Sequence, residues 1–504
     1  MFVSRGYPND KQAHILTSVK SKSNEKSTQE SPTYVAAVVE YSPDIYETTG
    51  NENKDVLVQN AEHYVDIIRT AANESTDIIV FPECGLKTLG KLHTESTLVP
   101  DPEEGANPCL SSSTGVHEAV RIISCAAREY QMYRKFNLFG EPGFNATKTP
   151  DMSVFETDFG VKFGIFTCFD IIFERPAVTL VKDMGITDII FPTAWFSELP
   201  FLTAVQEQVA WSRGLGVNFL GSGYNNPSGG STGSGIYSPK QGVLTSIMAT
   251  TRTTKLLVAS VPKLSSQSTN VPPTPAKIIT HAEATVSKDD STGISMKKDF
   301  LLSYITFLLP NNLVPVKKTL CYGDLCCDFD VKFSSESKSG YFYRLAVFDG
   351  VRSFTYATGG LQICALIFCE DETISSCGVE LKDPEQSSSA TFDHINITGN
   401  FNLEHAMQLP NTLLTGYDVL SPTKYNFVKE EDISKNSVKV NMFTKTEPVS
   451  VLTFGIYGRN FLRDGEPSPE LKQISKNSSS GVVFAVYTIA CSVVFTFAIN
   501  KIYQ

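Results

Sequence analysis

An α/β portion followed by a β-rich portion is the fold class that the sequence predicts, and three observations predict it. Up to about residue 263, short apolar runs of strand character alternate with segments of helical periodicity, the pattern of helices packed on a largely parallel sheet. From Leu264 to Pro275 the composition turns to Ser, Thr, Pro and Gln, which marks a linker. Beyond it come many short aromatic and β-branched runs separated by Gly and Asp turns, the signature of a β-rich domain. At 504 residues and 41% apolar content the chain exceeds a single core and can fill two. The expected organisation is a disordered segment over 1–33, an α/β domain over 34–263, the linker over 264–275, a β-rich domain over 276–470, and a polar spacer with an apolar tail over 471–504.

Taken in order, Tyr34 to Tyr41 reads as a first strand, and Lys54 to Asn73 carries Val56, Val58, Ala61, Tyr64, Ile67 and Ile68 at the spacing of an amphipathic helix. Asp77 to Pro82 is a short apolar run, the reading of a strand buried on both faces, and Glu83 stands at its end. Gly115 to Tyr130 has Val116, Val120, Ile123 and Ala127 at helical spacing and runs almost directly into Lys135. Val161 to Thr167 is a further strand, closed by Cys168. Pro176 to Gly185 predicts a helix, Ile186 to Phe191 a strand ended by Pro192, Pro200 to Gly214 a helix with Trp211 inward, and Lys255 to Val261 a strand. In the second domain Val331 to Phe333, Gly340 to Phe348, Gln362 to Phe368, Val438 to Phe443 and Val449 to Tyr457 read as strands. That domain carries no acid, base and nucleophile set, so a supporting or lid-like role is expected of it.

The chemistry-bearing residues lie at strand ends. Glu83, Lys135 and Cys168 supply a carboxylate, an ammonium and a thiol, and open α/β sheets carry their chemistry beyond the carboxyl ends of strands. A thiol with pKa about 8.5 is mostly protonated at neutral pH, so a nucleophilic Cys needs a base and a nearby cation. For an arbitrary Cys after a strand, the plain alternative is a buried small hydrophobe.

Four blocks carry a resemblance. Asn137 to Phe139, Phe163 to Ile171, Pro176 to Asp183 and Phe191 to Trp195, continued by Val217 to Leu220, Gly233 to Tyr237 and the later Cys321 to Cys327, are similar to the vanin and biotinidase branch of the nitrilase superfamily. The resemblance covers roughly residues 34 to 500. It implies a nitrilase-like four-layer α-β-β-α sandwich with a carboxyl-terminal β-rich domain. It also implies that Glu83 is the general base, Cys168 the nucleophile that forms a thioester, and Lys135 with the backbone N–H of Phe169 the oxyanion stabiliser. Glu141 resembles a second carboxylate that holds the Lys and the substrate, an exposed loop Glu being the alternative, and Trp195 would border the substrate. In the family a strand hairpin precedes the Lys motif; here only Gln131 to Arg134 separate the helix from Lys135, so two strands are expected to be missing. The implied reaction is hydrolysis of a linear amide, pantetheine first and biotinyl amides second, with no cofactor. A catalytically silent surface glycoprotein that keeps the fold is the alternative of a different class.

Bulk properties set the partners. A net charge of −11 argues against nucleic acid, and the glycine-rich Ser228 to Gly235 lacks the Lys and helix of a phosphate loop; a flexible loop at the site's mouth is the expectation. Cys321, Cys326, Cys327, Cys364, Cys369 and Cys377 lack the paired spacing of a zinc site, so disulfides of open connectivity are expected. Cys109 with Cys125 is a further candidate pair, while Cys84 and Cys491 have no obvious partner. None of the seven His residues suggests a metal or Cys-His site. Asn73, Asn145, Asn396 and Asn477 stand in glycosylation triplets. Val482 to Ile499 is an apolar run behind a polar spacer, the pattern of a glycolipid-anchor signal, with a transmembrane anchor as the competing reading. An extracellular, surface-bound protein is therefore expected, although residues 1–31 show no secretory apolar core.

Overall fold

The structure is a computed structural model that describes residues 2–4, 26–43, 56–86, 133–141, 146–264, 275–283, 293–337, 340–381 and 388–468. Its strands form four large sheets. The first contains β1 (Phe2–Ser4), β2 (Thr33–Glu40), β3 (Ile78–Val80), β11 (Thr253–Pro262) and β12 (Lys277–Glu283), in the order β1-β3-β2-β11-β12. The second contains β4 (Val154–Glu156), β5 (Lys162–Ile165), β6 (Asp188–Thr193), β8 (Asn218–Gly223), β9 (Ser234–Ser238) and β10 (Gly242–Ile247), in the order β10-β9-β8-β6-β5-β4. A small parallel pair joins β7 (Glu198–Leu199) to β13 (Lys297–Lys298). The third sheet has β14 (Ile305–Leu308), β17 (Phe342–Ser353), β18 (Thr358–Cys369), β24 (Thr453–Asn460) and β20 (Ala406–Leu413) side by side. The fourth has β15 (Val316–Tyr322), β16 (Leu325–Phe333), β19 (Thr391–Asn402), β22 (Ser437–Thr444) and β21 (Tyr425–Asp432), with β23 (Val449–Ser450) paired to β19.

Side-chain alternation explains how these sheets stack, because successive residues of a strand face opposite sides. In β2, Tyr34, Ala36 and Val38 meet the second sheet, while Ala37 and Val39 meet helix α1 (Val56–Asn73). That helix presents Leu57, Ala61, Tyr64, Ile67 and Ala71, one helical face, as expected. In β6, Ile190 joins the core between the first two sheets, whereas Ile189 and Phe191 join the next one out. That outer core holds the short helix α2 (Thr179–Lys182), helix α3 (Ala204–Leu215) and the inner face of the third sheet through Ile363, Ala365 and Ile367. Cys364, Leu366 and Phe368, on the other face of β18, pack on the fourth sheet. The layers therefore run helix, sheet, sheet, helix, sheet, sheet: the expected α-β-β-α sandwich with a β-rich portion laid against its second helical layer.

Three disulfides, Cys321–Cys326, Cys327–Cys364 and Cys369–Cys377, fix the connectivity that spacing had left open. Cys327–Cys364 joins β16 to β18 and so staples the fourth sheet to the third across 37 residues of chain. Loop-closure entropy gives such a crosslink about 4 kcal/mol.

Several local expectations change. Pro192 does not end a strand; it lies within β6, opposite Ser222. Ile190 accepts from Phe166 N–H and Thr193 from Tyr224 N–H, so alternation turns the Pro192 nitrogen toward β5, beyond that strand's last pair at Ile165, where no donor is required. Helix α3 begins at Ala204 rather than Pro200, because Thr203 and Gln206 form a reciprocal capping box, and it stops at Gly216 with φ 76°. The glycine-rich stretch is not an open loop: from Gly230 to Gly235 it is buried, and Thr232, Ser234 and the Gly233 N–H donate to the fully buried Glu40 carboxylate. Strand β12 pairs with β11, so the first sheet continues past the expected linker.

The two strands expected to be missing fall on 87–132, outside the described residues, as do Cys109, Cys125, Asn145, Asn477, Cys491 and the apolar tail. Among the described residues no helix is long and apolar enough to cross a membrane.

Candidate active site

Glu83 follows β3, and its neighbour Cys84 takes a left-handed φ of 58°. Cys168 follows β5 and opens a tight helical turn, Cys168–Ile172, itself at φ 50°. A non-glycine residue held there is a strained position of the kind that accumulates at functional sites. The strands β2, β3, β5, β6 and β8 are mutually parallel within their sheets, and β3 and β5 deliver both residues at their carboxyl ends.

The expected trio converges. Lys135 Nζ donates to Glu83 Oε1 at 2.9 Å and to Glu141 Oε1 at 2.5 Å. The Ala194 N–H donates to the other Glu83 oxygen at 3.2 Å. All three charged side chains are largely shielded, with 12% to 16% of their side-chain surface exposed, so Glu141 is not a solvated loop residue. Its Oε2 is buried with no partner among the described residues. Burial and the Glu83 carboxylate push the Cys168 thiol up to about 12, with Lys135 pulling the other way. Burial also works against the Lys135 charge, but Glu83, Cys168 and Glu141 outweigh it and hold its pKa well above the usual lysine value. The resting site thus has a protonated thiol beside an ammonium already shared by two carboxylates.

Sequence reasoning missed the groups that hold this arrangement. Asp170, fully buried two residues after Cys168, accepts from Tyr133 Oη at 2.7 Å, Asn137 N and Asn137 Nδ2 at 2.8 Å each, and Thr167 N at 3.1 Å. It therefore ties the Lys135 segment to the turn that Cys168 opens, and its place inside the Cys168 motif was the available signal. Arg134 reinforces the segment through a bidentate pair with Asp151 at 2.8 and 2.9 Å. At the other end of the turn, fully buried Arg459 donates from Nε to Ile172 O at 2.8 Å, while bonding Gly360 O and Asp464 Oδ1. No local sequence signal could locate Arg459.

A cavity of about 50 Å³ opens onto Cys168. Its walls include Phe139, Phe169, Trp195, Phe196 and Phe354, and its polar members are Glu198, Lys297 and Thr355. The Trp195 indole N–H donates to Leu202 O at 2.9 Å, so this residue offers the cavity a ring face rather than a donor. Phe139 stands edge-on to Phe169 at 4.9 Å and to Tyr356 at 5.0 Å. Asn73 is exposed at the end of α1, and Asn396 lies half-buried on the interior strand β19. Among the described residues no group of three or more His, Cys, Asp or Glu is placed to hold a metal ion.

Residues 294–464 match the Vanin C-terminal domain. Vanin-like protein 1 of Drosophila melanogaster is 32% identical, with 89% of each chain covered. The chain belongs to the vanin branch of the nitrilase superfamily. Pantetheinase of Bos taurus is 35% identical over 67% of this chain and 61% of that protein. Among solved structures, an amidase of the nitrilase superfamily from Nesterenkonia has a TM-score of 0.34 at 15% identity, covering 45% of this chain and 90% of that one. The family's carboxyl-terminal domain supplies Lys297, Phe354 and Thr355 to the cavity and Arg459 to the Cys168–Ile172 turn. It forms part of the wall.

Proposed function

We propose that the protein hydrolyses pantetheine to pantothenate and cysteamine. The coarser statement, that it is a carbon–nitrogen hydrolase, follows from its family. The observation that carries the mechanism is the Lys135 ammonium bonded to both Glu83 and Glu141 beside a cavity that ends at Cys168.

Because the thiol rests protonated, activation belongs to the moment of attack. Glu83 takes the Cys168 proton as the sulfur–carbon bond forms, and the carbonyl oxygen becomes an oxyanion facing Lys135 and the Phe169 N–H. Glu83 then passes that proton to the leaving nitrogen, the carbon–nitrogen bond breaks and the amine departs, leaving a thioester on Cys168. Water gives a proton to Glu83 and attacks the thioester; collapse releases the acid and returns the proton to sulfur. Glu141, with one oxygen on Lys135 and the other without a partner among the described residues, holds the ammonium and offers an acceptor to the substrate.

The three disulfides fit an extracellular protein. Attachment to a membrane surface through the apolar run Val482 to Ile499 is part of the same proposal, as is glycosylation at the exposed Asn73. Thiol release from pantetheine and lysine release from biocytin, assayed on purified protein beside Cys168→Ala, test the reading. Pantetheine turnover that vanishes in the variant is expected. Preference for biocytin would replace the substrate, and no turnover of either by folded protein would favour the silent glycoprotein.

A further inference from the structure

At the mouth of the cavity stands a cation, Lys297, with no carboxylate paired to it among the described residues. Lys297, on β13, is exposed overall, yet its ammonium lies 5.0 Å from the centre of the Phe139 ring and 5.4 Å from that of Phe196. Aromatic faces attract a cation but do not neutralise it. Desolvation there lowers the Lys297 pKa from 10.5. Its hydrogen-bond partner among the described residues is Thr355 Oγ1 at 3.5 Å, the long limit of such a bond.

The neighbouring charges are otherwise engaged. Glu198, the acid that lines the same cavity, pairs with Arg352, and Asp299 pairs with that guanidinium at 3.1 Å. Two carboxylates sharing one guanidinium leave no broad positive field at the rim. Any attraction for an anion must therefore act at contact with the Lys297 ammonium, over a distance of a few ångströms where charges still interact strongly. Between that ammonium and Cys168 the lining is mostly aromatic.

We propose that Lys297 is a specificity-determining residue that receives an oxyanion, carboxylate or phosphate, at the far end of the acyl part of an amide substrate, in preference to the neutral hydroxyl that pantetheine carries there. The inference rests on Cys168 being the nucleophile and not on pantetheine being the substrate. A vanin C-terminal domain residue then selects what the α/β portion cleaves.

The test labels Cys168 in the intact protein with maleimidohexanoic acid and with its methyl ester, reading the site by peptide mass spectrometry and subtracting Cys84 labelling with Cys168→Ala. The two reagents share the maleimide and the alkyl chain and differ only at the remote carboxyl, so the change in their rate ratio from one protein variant to the next isolates the rim. The acid-to-ester ratio is expected to fall about tenfold in Lys297→Met and to be kept in Lys297→Arg, the size of effect a close desolvated charge gives. An unchanged ratio in Lys297→Met overturns the proposal, and melting temperatures of the variants check that each is folded. Pantetheine and its phosphate ester are then assayed in parallel. A ratio that responds to Lys297 in a protein that cleaves neither ester nor parent sinks the substrate reading alone, whereas pantetheine turnover with an unresponsive ratio sinks the subsite alone.

Discussion

Lys135 balances Glu83 and Glu141 at rest, and the proposed mechanism gives it a second, competing task, to answer the charge that builds on the substrate oxygen. Removing it leaves two shielded carboxylates together and removes one oxyanion donor. Lys135→Met is therefore expected to lower kcat by about 10²–10³, equivalent to about 2.7–4 kcal/mol of barrier, with a smaller change in KM. Steady-state kinetics on pantetheine check this; a change confined to KM would assign Lys135 to ground-state binding. Glu83 and Cys168 were legible in the sequence because each stands at the end of a strand-like run, and Lys135 because its segment carries the family resemblance. Asp170 was visible but carried no role until Tyr133 and Asn137 were brought to it from more than 30 residues away. Arg459 reaches Ile172 across 287 residues, and a contact of that span leaves no mark on local spacing.

At the scale of an element, α3 carries an unusual load. Its Glu207 is fully buried, and neither carboxyl oxygen has a partner among the described residues. Burial pushes its pKa from 4.5 up to about 8, with the Arg459 guanidinium pulling the other way. The unfolded chain loses this proton near 4.5 while the folded one keeps it to about 8. Stability from this group is thus full below pH 4.5 and declines as pH rises toward 8. Denaturant unfolding is expected to lose a few kcal/mol over that window, and Glu207→Gln is expected to flatten the loss, making the variant relatively more stable at the alkaline end. An equal slope in both proteins would place the charge elsewhere. The helix itself was legible from periodicity, but its start was not: the Thr203 and Gln206 side chains set it, and a proline at 200 had suggested an earlier one. The glycine-rich stretch was misjudged for a related reason, since its purpose is to hydrogen-bond a buried Glu40 that belongs to a distant strand.

At the scale of the whole molecule, the alternation of sheets and helices followed from apolar runs that must be covered on both faces, and the layering of four large sheets is that requirement met. The pairing of six cysteines was not legible, because spacing limits which disulfides can form without choosing among them. What the layering achieves is a site built at a seam: Glu83 comes from the first sheet, Cys168 from the second, and part of the cavity wall from the family's carboxyl-terminal domain. In the proposed mechanism every part of that seam serves one sulfur. The most direct test adds hydroxylamine during pantetheine turnover, because a thioester on Cys168 would be diverted to pantothenoyl hydroxamate. The account predicts hydroxamate formation by the unaltered protein and none by Cys168→Ala. Pantothenate formed at an undiminished rate by Cys168→Ala, with no hydroxamate from either protein, would contradict it.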